Sequence, residues 1–234
     1  MFGLFRKKKV TIAQLLGGWT DHHSHILPGV DDGVKDMETS LKLLSYYESL
    51  GIRALWCTPH VMEDMSNTTA GLQERFAGLK AAYSGPVELH LAAEYMLDSL
   101  FEERLEADDL LPMTEDDEQQ LLVETSYFNP PMDFTGLLQQ IKSKGYYPVL
   151  AHPERYVYMD KRQYAALKEK GVRFQLNLSS LAGAYGPVAE KKSRELLKAG
   201  SYELSGSDIH SFRNTEFWQA PAPEALRNLI ETKK

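Results

Sequence analysis

Residues 21–25 read Asp-His-His-Ser-His and lie at the end of the first strand-like run of the chain. The last strand-like run ends in a second short motif, Ser207-Asp208-Ile209-His210. Four runs between them also end in a histidine or a glutamate, at His60, Glu94, Glu124 and His152. Such residues at the same end of successive strands meet only if the strands are parallel and the sheet curls on itself. We therefore expect a parallel barrel with a metal centre at the carboxyl ends of its strands.

The rest of the chain alternates short apolar runs with longer amphipathic stretches. Strands are predicted over Trp19–His25, Ile52–Thr58, Val87–Glu94, Gln120–Thr125, Tyr147–His152, Val172–Leu178 and Tyr202–Ser207. Helices are predicted over Met37–Leu50, Ala70–Tyr83, Leu97–Ala107, Phe134–Lys144, Arg162–Lys170, Val188–Lys198 and Pro223–Lys233, and a loop over Glu115–Glu118. This alternation is typical of an α/β fold with a parallel sheet. An open doubly wound sheet would carry a glycine-rich loop after its first strand, where His-Ser-His stands instead, so we favour a closed barrel.

Length and charge limit the classes of protein to consider. The chain has 234 residues and a net charge of −7, so we expect one domain over 1–234, with 1–15 as a flexible or peripheral segment. The negative charge argues against nucleic acid as the main partner, because a phosphate backbone binds basic surfaces. The sequence has no run of about 20 apolar residues, so no transmembrane helix is predicted. The segment Met1–Lys9 could contact an anionic membrane surface, and a solvated terminus is the alternative.

The chain has one cysteine, Cys57. A single cysteine excludes a disulfide within the chain and a thiolate-rich zinc site. It also cannot belong to a C-x₅-R phosphatase loop, because Glu63 stands six residues later. These observations fit a reducing compartment, and we expect a cytoplasmic protein.

Metal ligands are indicated by residue type and by position. His23 and His25 are two residues apart, so on a strand both rings share a face and can reach one ion. His22 has the opposite parity and His90 lies deeper in its strand, so we expect both to stay outside the centre. Nitrogen and oxygen ligands without sulfur suit Mn²⁺, Fe or Zn²⁺. Two or three divalent ions could be shared by nine candidate ligands: His23, His25, Asp32, His60, Glu94, Glu124, His152, Asp208 and His210.

Other side chains are expected at the same mouth. Arg155 follows His152 closely, and its planar guanidinium would match phosphate oxygens, with an ion pair to Glu154 as the alternative. Arg213 lies three residues after His210, where a phosphate role and a surface role are equally open. Asn177 could support the centre, face substrate or cap a turn. Six further residues near the mouth could either line a slot for an aromatic substrate or form an apolar rim: Tyr127, Phe128, Pro130, Tyr156, Tyr158 and Phe212.

The motifs together resemble a known family. The H-x-H pair, the strand-end Glu residues and S-D-x-H are similar to the polymerase-and-histidinol-phosphatase (PHP) superfamily. More specifically, the chain from Asp21 to His210 resembles the capsule-type bacterial protein-tyrosine phosphatases. The segments that carry this resemblance are residues 21–33 (DHHSHILPGVDDG), Thr58-Pro59-His60, Ala93-Glu94-Tyr95, Val123-Glu124-Thr125, residues 151–155 (AHPER) and Ser207-Asp208-Ile209-His210.

The resemblance implies a distorted (β/α)₇ TIM-like barrel, the PHP fold, with three metal ions that are usually manganese. By motif, the first ion would take His23, His25, Glu94 and Asp208. The second would take Glu94, Glu124 and His152, and the third Asp32, His60 and His210. Arg155 would bind phosphate. The chain departs from the family at His22, after His60, where a basic pair is absent, and at Arg213, whose spacing only approximates a second arginine.

The resulting hypothesis is a metal-dependent hydrolase of phosphotyrosine in proteins that acts in capsule or exopolysaccharide synthesis. The ions would activate water, Arg155 would stabilise the phosphoryl oxygens, and Asp208, His210 or a metal-bound water could serve as the acid. The resemblance implies a bacterial tyrosine autokinase as partner. A small-molecule phosphoesterase such as a histidinol phosphatase, and a non-catalytic metal-containing binding module, are the alternatives.

Overall fold

The computed structural model describes residues 9–231. Strands and helices alternate along the chain, as the sequence predicts. The strands are β1 (Thr20–Ser24), β2 (Ala54–Cys57), β3 (His60–Val61), β4 (Glu88–Leu91), β5 (Glu94–Met96), β6 (Met113–Glu115), β7 (Glu118–Glu124), β8 (Tyr147–Ala151), β9 (Arg173–Asn177) and β10 (Leu204–Gly206). The helices are α1 (Met37–Leu50), α2 (Thr69–Ala82), α3 (Ser99–Ala107), α4 (Phe134–Ser143), α5 (Lys161–Glu169), α6 (Gly186–Lys198), α7 (Phe212–Thr215) and α8 (Glu224–Glu231).

Two stretches of strand are each divided into two pieces: the predicted strand Val87–Glu94, and the predicted strand Ile52–Thr58 together with the short strand that follows it. β2 and β3 are separated by Thr58-Pro59, and β4 and β5 by Ala92-Ala93. The first pieces form the parallel order β1-β2-β4, while the second pieces join the parallel order β10-β9-β8-β7-β5-β3. Because β3 pairs with β5 in the register His60 to Glu94, the breaks place two candidate ligands side by side.

The curled sheet closes where its last strand meets its first. Beyond β10, Ile209 forms a parallel bridge with Ser24. The Asp208 amide donates to the His23 carbonyl at 2.8 Å, and the His25 amide donates to the Ile209 carbonyl at 3.0 Å. This seam completes a distorted seven-stranded parallel barrel, which confirms the expected fold class.

The barrel interior is filled below its carboxyl end. Side chains from strands around the whole barrel form one buried apolar cluster there, made of Trp56, Ala92, Met113, Leu122, Val149, Ala151 and Leu204. A larger buried cluster lies between the barrel and its helices. Candidate ligands therefore have an apolar floor beneath them, and they open only toward the mouth.

The acidic segment Glu115–Glu118 is not a loop throughout, and the prediction is wrong for its two ends. Glu115 closes β6 and pairs with Glu118, the first residue of β7, in an antiparallel hairpin. The turn consists of Asp116 and Asp117, whose φ angles of 51° and 63° are those of a two-residue hairpin turn. Aspartate tolerates this left-handed backbone better than most residues, so the two aspartates can form a tight turn. The acidic composition of the segment did not indicate the flanking strand pairing.

The predicted flexible segment 1–15 is partly packed. Met1–Lys8, which includes most of the proposed membrane-contact segment, lies outside the described residues. The Ile12 amide donates to the Ala220 carbonyl at 3.0 Å, and both Ile12 and Leu16 are fully buried. Residues 11–15 are therefore fixed to the body, unlike a flexible segment. Among residues 9–231, no helix has both the length and the apolar character that a membrane span requires.

Candidate metal centre

His23 and His25 face each other at the mouth of the barrel. A register shift between Asp21 and Ser24 interrupts the pairing of β1 with β2 at this point. The two Nε2 atoms lie 3.1 Å apart. Both rings are fully buried, and both Nε2 atoms lie within 3.5 Å of Glu94 Oε2 and of Asp208 Oδ1. Four candidate ligands thus point toward one small volume.

Glu94 lies at the centre of the constellation. Its Oε2 atom is 3.1 Å from His23 Nε2 and 3.1 Å from His60 Nδ1. Its other oxygen, Oε1, is 3.0 Å from His152 Nε2. Glu124 lies beside it, 3.1 Å from His60 Nδ1 and 3.7 Å from His152 Nε2. A carboxylate with both oxygens engaged in this way can bridge two ions.

A third group lies nearer the solvent. His210 Nε2 is 3.3 Å from Asp32 Oδ1, and His60 Nε2 is 3.6 Å from the same oxygen. Within residues 9–231, donor atoms close enough to share one ion occur in three sets: His25, Asp32, His60 and His210; His23, His25 and Glu94; and His60, Glu94 and Glu124. The structure therefore brings together all nine residues that the sequence singled out. It also shares His25 and His60 between sets, which the motif assignment did not.

The backbone is left-handed at two of these positions. His152 has φ 34° and Asp208 has φ 52°, although neither is a glycine. Such conformations cost on the order of 1–3 kcal/mol and are retained where surrounding structure enforces them. Here they turn the side chains at the ends of β8 and β10 into the mouth.

Close packing around the first two histidines requires glycine. A Cβ atom at Gly33 would lie 2.4 Å from the His25 carbonyl oxygen, and one at Gly206 would lie 2.4 Å from His23 Cβ. No side chain fits at those distances. The glycine that follows Asp31-Asp32 therefore allows the loop to approach His25 closely.

The electrostatics couple acids and imidazoles. Burial lowers the pKa of His25, but Asp31, Asp208 and Glu94 outweigh it and raise that pKa well above its ordinary value. Burial and His25 lower the pKa of His60, but Glu94 and Glu124 raise it by more, so the resulting pKa is about 10. Burial raises the pKa of Glu94, but the neighbouring histidines hold it well below its usual range. Protons on the imidazoles thus balance the carboxylates in the absence of ions.

Three buried polar atoms of the constellation lack a hydrogen-bond partner within the described part of the chain. These atoms are His60 Nδ1, Glu94 Oε2 and His152 Nδ1. An unpaired buried polar atom is costly, and it requires an explanation. His60 Nδ1 and Glu94 Oε2 are only 3.1 Å apart, yet their geometry is not that of a hydrogen bond. An ion that both atoms contact would satisfy them, so the donor set fits divalent metals.

The remaining candidates of the sequence occupy different surroundings. Arg155 Nη1 donates to Asp208 Oδ2 at 2.8 Å, and the expected alternative partner, Glu154, is instead buried against Tyr202 and Asn177. Asn177 both caps a turn, by accepting from the Ser179 amide, and donates to Asp208 Oδ2 at 2.7 Å. Arg213 is exposed on α7, outside the three ligand sets.

The two histidines set aside by the sequence lie away from the constellation. His22 contacts the Ser205 carbonyl and Glu115. The ring of His90 stacks on Trp56, and its Nε2 atom lies near Glu88. Of the aromatic residues, Tyr127 and Tyr156 lie against the His152 ring, whereas Phe128 and Phe212 are exposed.

Sequence reasoning missed the residues that orient the histidines. Asp31 Oδ2 lies 2.8 Å from His25 Nδ1, and Gln175 Oε1 lies 3.0 Å from His23 Nδ1. Each contact directs the Nε2 atom of its ring into the centre, as carboxylates and amides behind metal-bound histidines do. Asp31 had a signal, since it precedes Asp32 in the same motif. Gln175 sits inside an apolar strand, and nothing in the sequence marked it.

Comparisons with known proteins agree with this geometry. A model of the family described as "Capsular polysaccharide synthesis, CpsB/CapC" matches residues 19–232. The tyrosine-protein phosphatase YwqE of Bacillus subtilis is 30% identical over 203 residues, which cover 84% of this chain and 79% of YwqE. The tyrosine-protein phosphatase CpsB of Streptococcus pneumoniae is 26% identical over 227 residues, 92% of each chain.

A solved structure is also similar. It comes from crystallographic work on YwqE of Bacillus subtilis and CpsB of Streptococcus pneumoniae, described as "unique metal-dependent tyrosine phosphatases". It superposes with a TM-score of 0.78 at 28% identity, over 89% of this chain and 86% of that chain.

Proposed function

The chain belongs to the CpsB/CapC family of capsular polysaccharide synthesis, and from that premise we propose that it hydrolyses phosphotyrosine in proteins with the help of bound metal ions. One observation carries the proposal: five histidines and four carboxylates from all around the barrel meet at one mouth beside Arg155. Cation ligands beside a phosphate-binding guanidinium suit a metal-dependent phosphomonoesterase.

We assign the ligands by motif and by contact. The first ion is held by His23, His25, Glu94 and Asp208. The second is held by Glu94, Glu124 and His152. The third is held by Asp32, His210 and His60, whose Nδ1 atom also faces Glu94 and Glu124. Manganese is the proposed ion, and iron or zinc would also fit the nitrogen and oxygen donors.

The bound ions supply Lewis acidity and a water that ionises near neutral pH. The chain supplies position and charge. Arg155 is placed to bind two phosphoryl oxygens, where transition-state charge gathers. Burial raises the pKa of Asp208, but His23, His25, His210 and Arg155 hold it well below its usual range, so this carboxyl stays ionised.

Activity on a phosphotyrosyl peptide before and after chelation tests the proposal. We expect activity to vanish in excess chelator and to return with manganese. The Cys57→Ser variant is the matched control, because Cys57 is fully buried and burial raises the pKa of its thiol. Full activity in excess chelator, or loss of activity in Cys57→Ser with metals retained, would contradict the proposal.

A comparison of kcat/KM on phosphotyrosyl peptide and on histidinol phosphate separates this function from a small-molecule phosphoesterase. We expect the peptide to be preferred. A preference for histidinol phosphate would replace the proposed substrate and leave the metal centre in place.

The physiological setting is also a proposal. The CpsB/CapC family is named for capsular polysaccharide synthesis, and this supports a cytoplasmic enzyme whose partner is a tyrosine autokinase of capsule or exopolysaccharide assembly. Peripheral membrane contact through Met1–Lys9 would bring the enzyme near such a kinase. Deletion of these nine residues should then reduce binding to anionic liposomes, and unchanged binding would remove the membrane part of the proposal.

A further inference from the structure

Arg155 is held between neighbouring loops of the mouth. It lies in a short 3₁₀ helix, Pro153–Arg155, directly after β8, and only 16% of its side chain is exposed. Within residues 9–231 its guanidinium makes one hydrogen bond, from Nη1 to Asp208 Oδ2. Nε and Nη2 keep their N–H groups for other acceptors.

Two tyrosine rings pack against this guanidinium. The Cζ atom of Arg155 lies 4.4 Å from the ring centroid of Tyr127 and 4.0 Å from that of Tyr185. Both distances are well within the range of a cation–π contact. Tyr127 follows β7 and Tyr185 precedes α6, so the rings come from the loops on either side of β8, the strand that carries Arg155.

Tyr185 also contacts the partner of Arg155. Its hydroxyl donates to Asp208 Oδ2 at 3.3 Å and accepts from Asn177 Nδ2 at 3.2 Å. The oxygens of Asp208 are thereby divided between two tasks. Oδ2 receives the three donors of this group, while Oδ1 faces His23, His25 and His210. The aromatic stack and the histidine cluster thus meet at a single carboxylate.

We propose that Tyr127 and Tyr185 are positioning residues that fix the guanidinium of Arg155, so that its free edge is held ready for the phosphoryl group. This inference rests on the proposed function for the identity of the substrate. A free arginine side chain has rotamer entropy, and phosphate binding would otherwise have to offset its loss. Stacking removes that freedom when the protein folds, before any substrate arrives.

The sequence left Tyr127 undecided between a substrate slot and an apolar collar, and it did not mark Tyr185. The contacts favour a third role, in which the rings contact the arginine and need not contact the substrate. Substitution of either ring should therefore weaken the binding of a phosphoryl group.

Titration of the metal-loaded protein with inorganic phosphate tests the proposal without any assumption about the substrate. We expect Tyr185→Leu and Tyr127→Leu each to weaken phosphate binding about three- to tenfold, the range of a partly buried cation–π contact. The corresponding Tyr185→Phe and Tyr127→Phe variants should bind within about twofold of the parent, since they keep the stacked ring. On phosphotyrosyl peptide, the leucine variants should lower kcat/KM by a similar factor, and the phenylalanine variants should keep the parent value.

The matched control is Tyr158→Leu. Tyr158 belongs to the same rim, but its ring packs on Tyr156 and its hydroxyl bonds Thr125. This variant should bind phosphate like the parent. Metal content and thermal unfolding of every variant identify those that fail to fold, and the Tyr127 pair carries the test if the Tyr185 pair fails.

A double-mutant cycle makes the test specific to Arg155. In an Arg155→Met background, Tyr185→Leu should have no further effect on phosphate binding. Parent-like binding by both leucine variants, equal loss in the phenylalanine and leucine variants, or full additivity with Arg155→Met would overturn the proposal. None of these outcomes depends on phosphotyrosine being the substrate, because inorganic phosphate reports on Arg155 directly.

Discussion

The mouth of the barrel and the interior just below it are built from the same strands but are held together by different forces. At the mouth, buried carboxylates and imidazoles lie 3.0–3.7 Å apart around Glu94. Below it, Leu122, Val149 and Leu204 pack against other apolar side chains with almost no exposure. Leu122 and Glu124 are two residues apart on β7, so apolar packing gives way to charged ligands within one repeat of the strand pleat.

This difference separates function from stability. Each buried apolar side chain contributes roughly 1.5–3 kcal/mol to folding. Buried charges must offset a large desolvation cost, and a pair of them is weak evidence for stability. The charged residues of the mouth are therefore retained for binding, and the apolar residues of the interior for the stability of the fold. Four predictions test this separation.

The largest effect is expected from Glu94→Gln. The substitution removes a charge from the carboxylate that contacts four histidines, and we expect activity to fall about 1000-fold or more, together with metal content. Metal analysis and kcat/KM on phosphotyrosyl peptide measure both. Glu88→Gln is the control, since Glu88 is exposed at the opposite end of the barrel. Full metal content in Glu94→Gln would contradict the conclusion that the mouth is built to bind metal.

The second prediction concerns the interior. Leu122→Ala should lower the free energy of unfolding by about 3 kcal/mol, because it leaves a cavity among packed side chains. Activity per folded molecule should stay within about threefold of the parent, as the ligands are untouched. Urea denaturation and metal content check this, with Val188→Ala as the control at an exposed site. A parallel loss of metal would show that the two regions are not independent.

The third prediction concerns the support of the mouth. Asp31→Asn keeps the volume of the side chain but weakens its hold on His25, so metal affinity should fall about 10- to 100-fold. Stability of the metal-free protein should change far less than in Leu122→Ala. Competition with a chelator of known affinity gives the number, and Asp64→Asn, an exposed carboxylate, is the control. Unchanged metal affinity would remove Asp31 from the working part of the mouth.

The smallest effect concerns pH. The pKa of His60 is raised to about 10 in the metal-free protein, so at pH 8 its imidazole holds a proton that a metal ion must displace. Metal affinity should therefore rise with pH up to about 10, by about tenfold per unit for each proton released. Calorimetry in two buffers of different ionisation enthalpy counts these protons. Metal uptake without proton release would contradict the assignment of His60.

The comparison also separates what the sequence could and could not predict. Strand-end positions alone brought nine residues to one mouth, because parallel strands that curl must present the same ends together. The helix Met37–Leu50 followed from its amphipathic spacing, and in the structure Asp36 caps its start and Gly51, with φ 70°, ends it.

The remaining features depend on side chains that carry no periodic signal. The breaks at Thr58-Pro59 and Ala92-Ala93 are local departures from strand geometry, and they decide which side chain faces which. Gln175 and Tyr185 act through contacts with residues far away in the chain, at His23 and Arg155. Such pairings are set by tertiary packing, so no pattern within either segment could reveal them.

The seam between β1 and the segment after β10 has a consequence for biogenesis. The first ligands are made within 25 residues of the start of this sequence and the last at residue 210, and the two ends must pair before Asp208 can face His23. The binding set therefore stays incomplete on a nascent chain until the segment after β10 has emerged from the ribosome and paired with β1. A chain truncated before residue 208 would lack Asp208 and His210 and would be released without a complete centre.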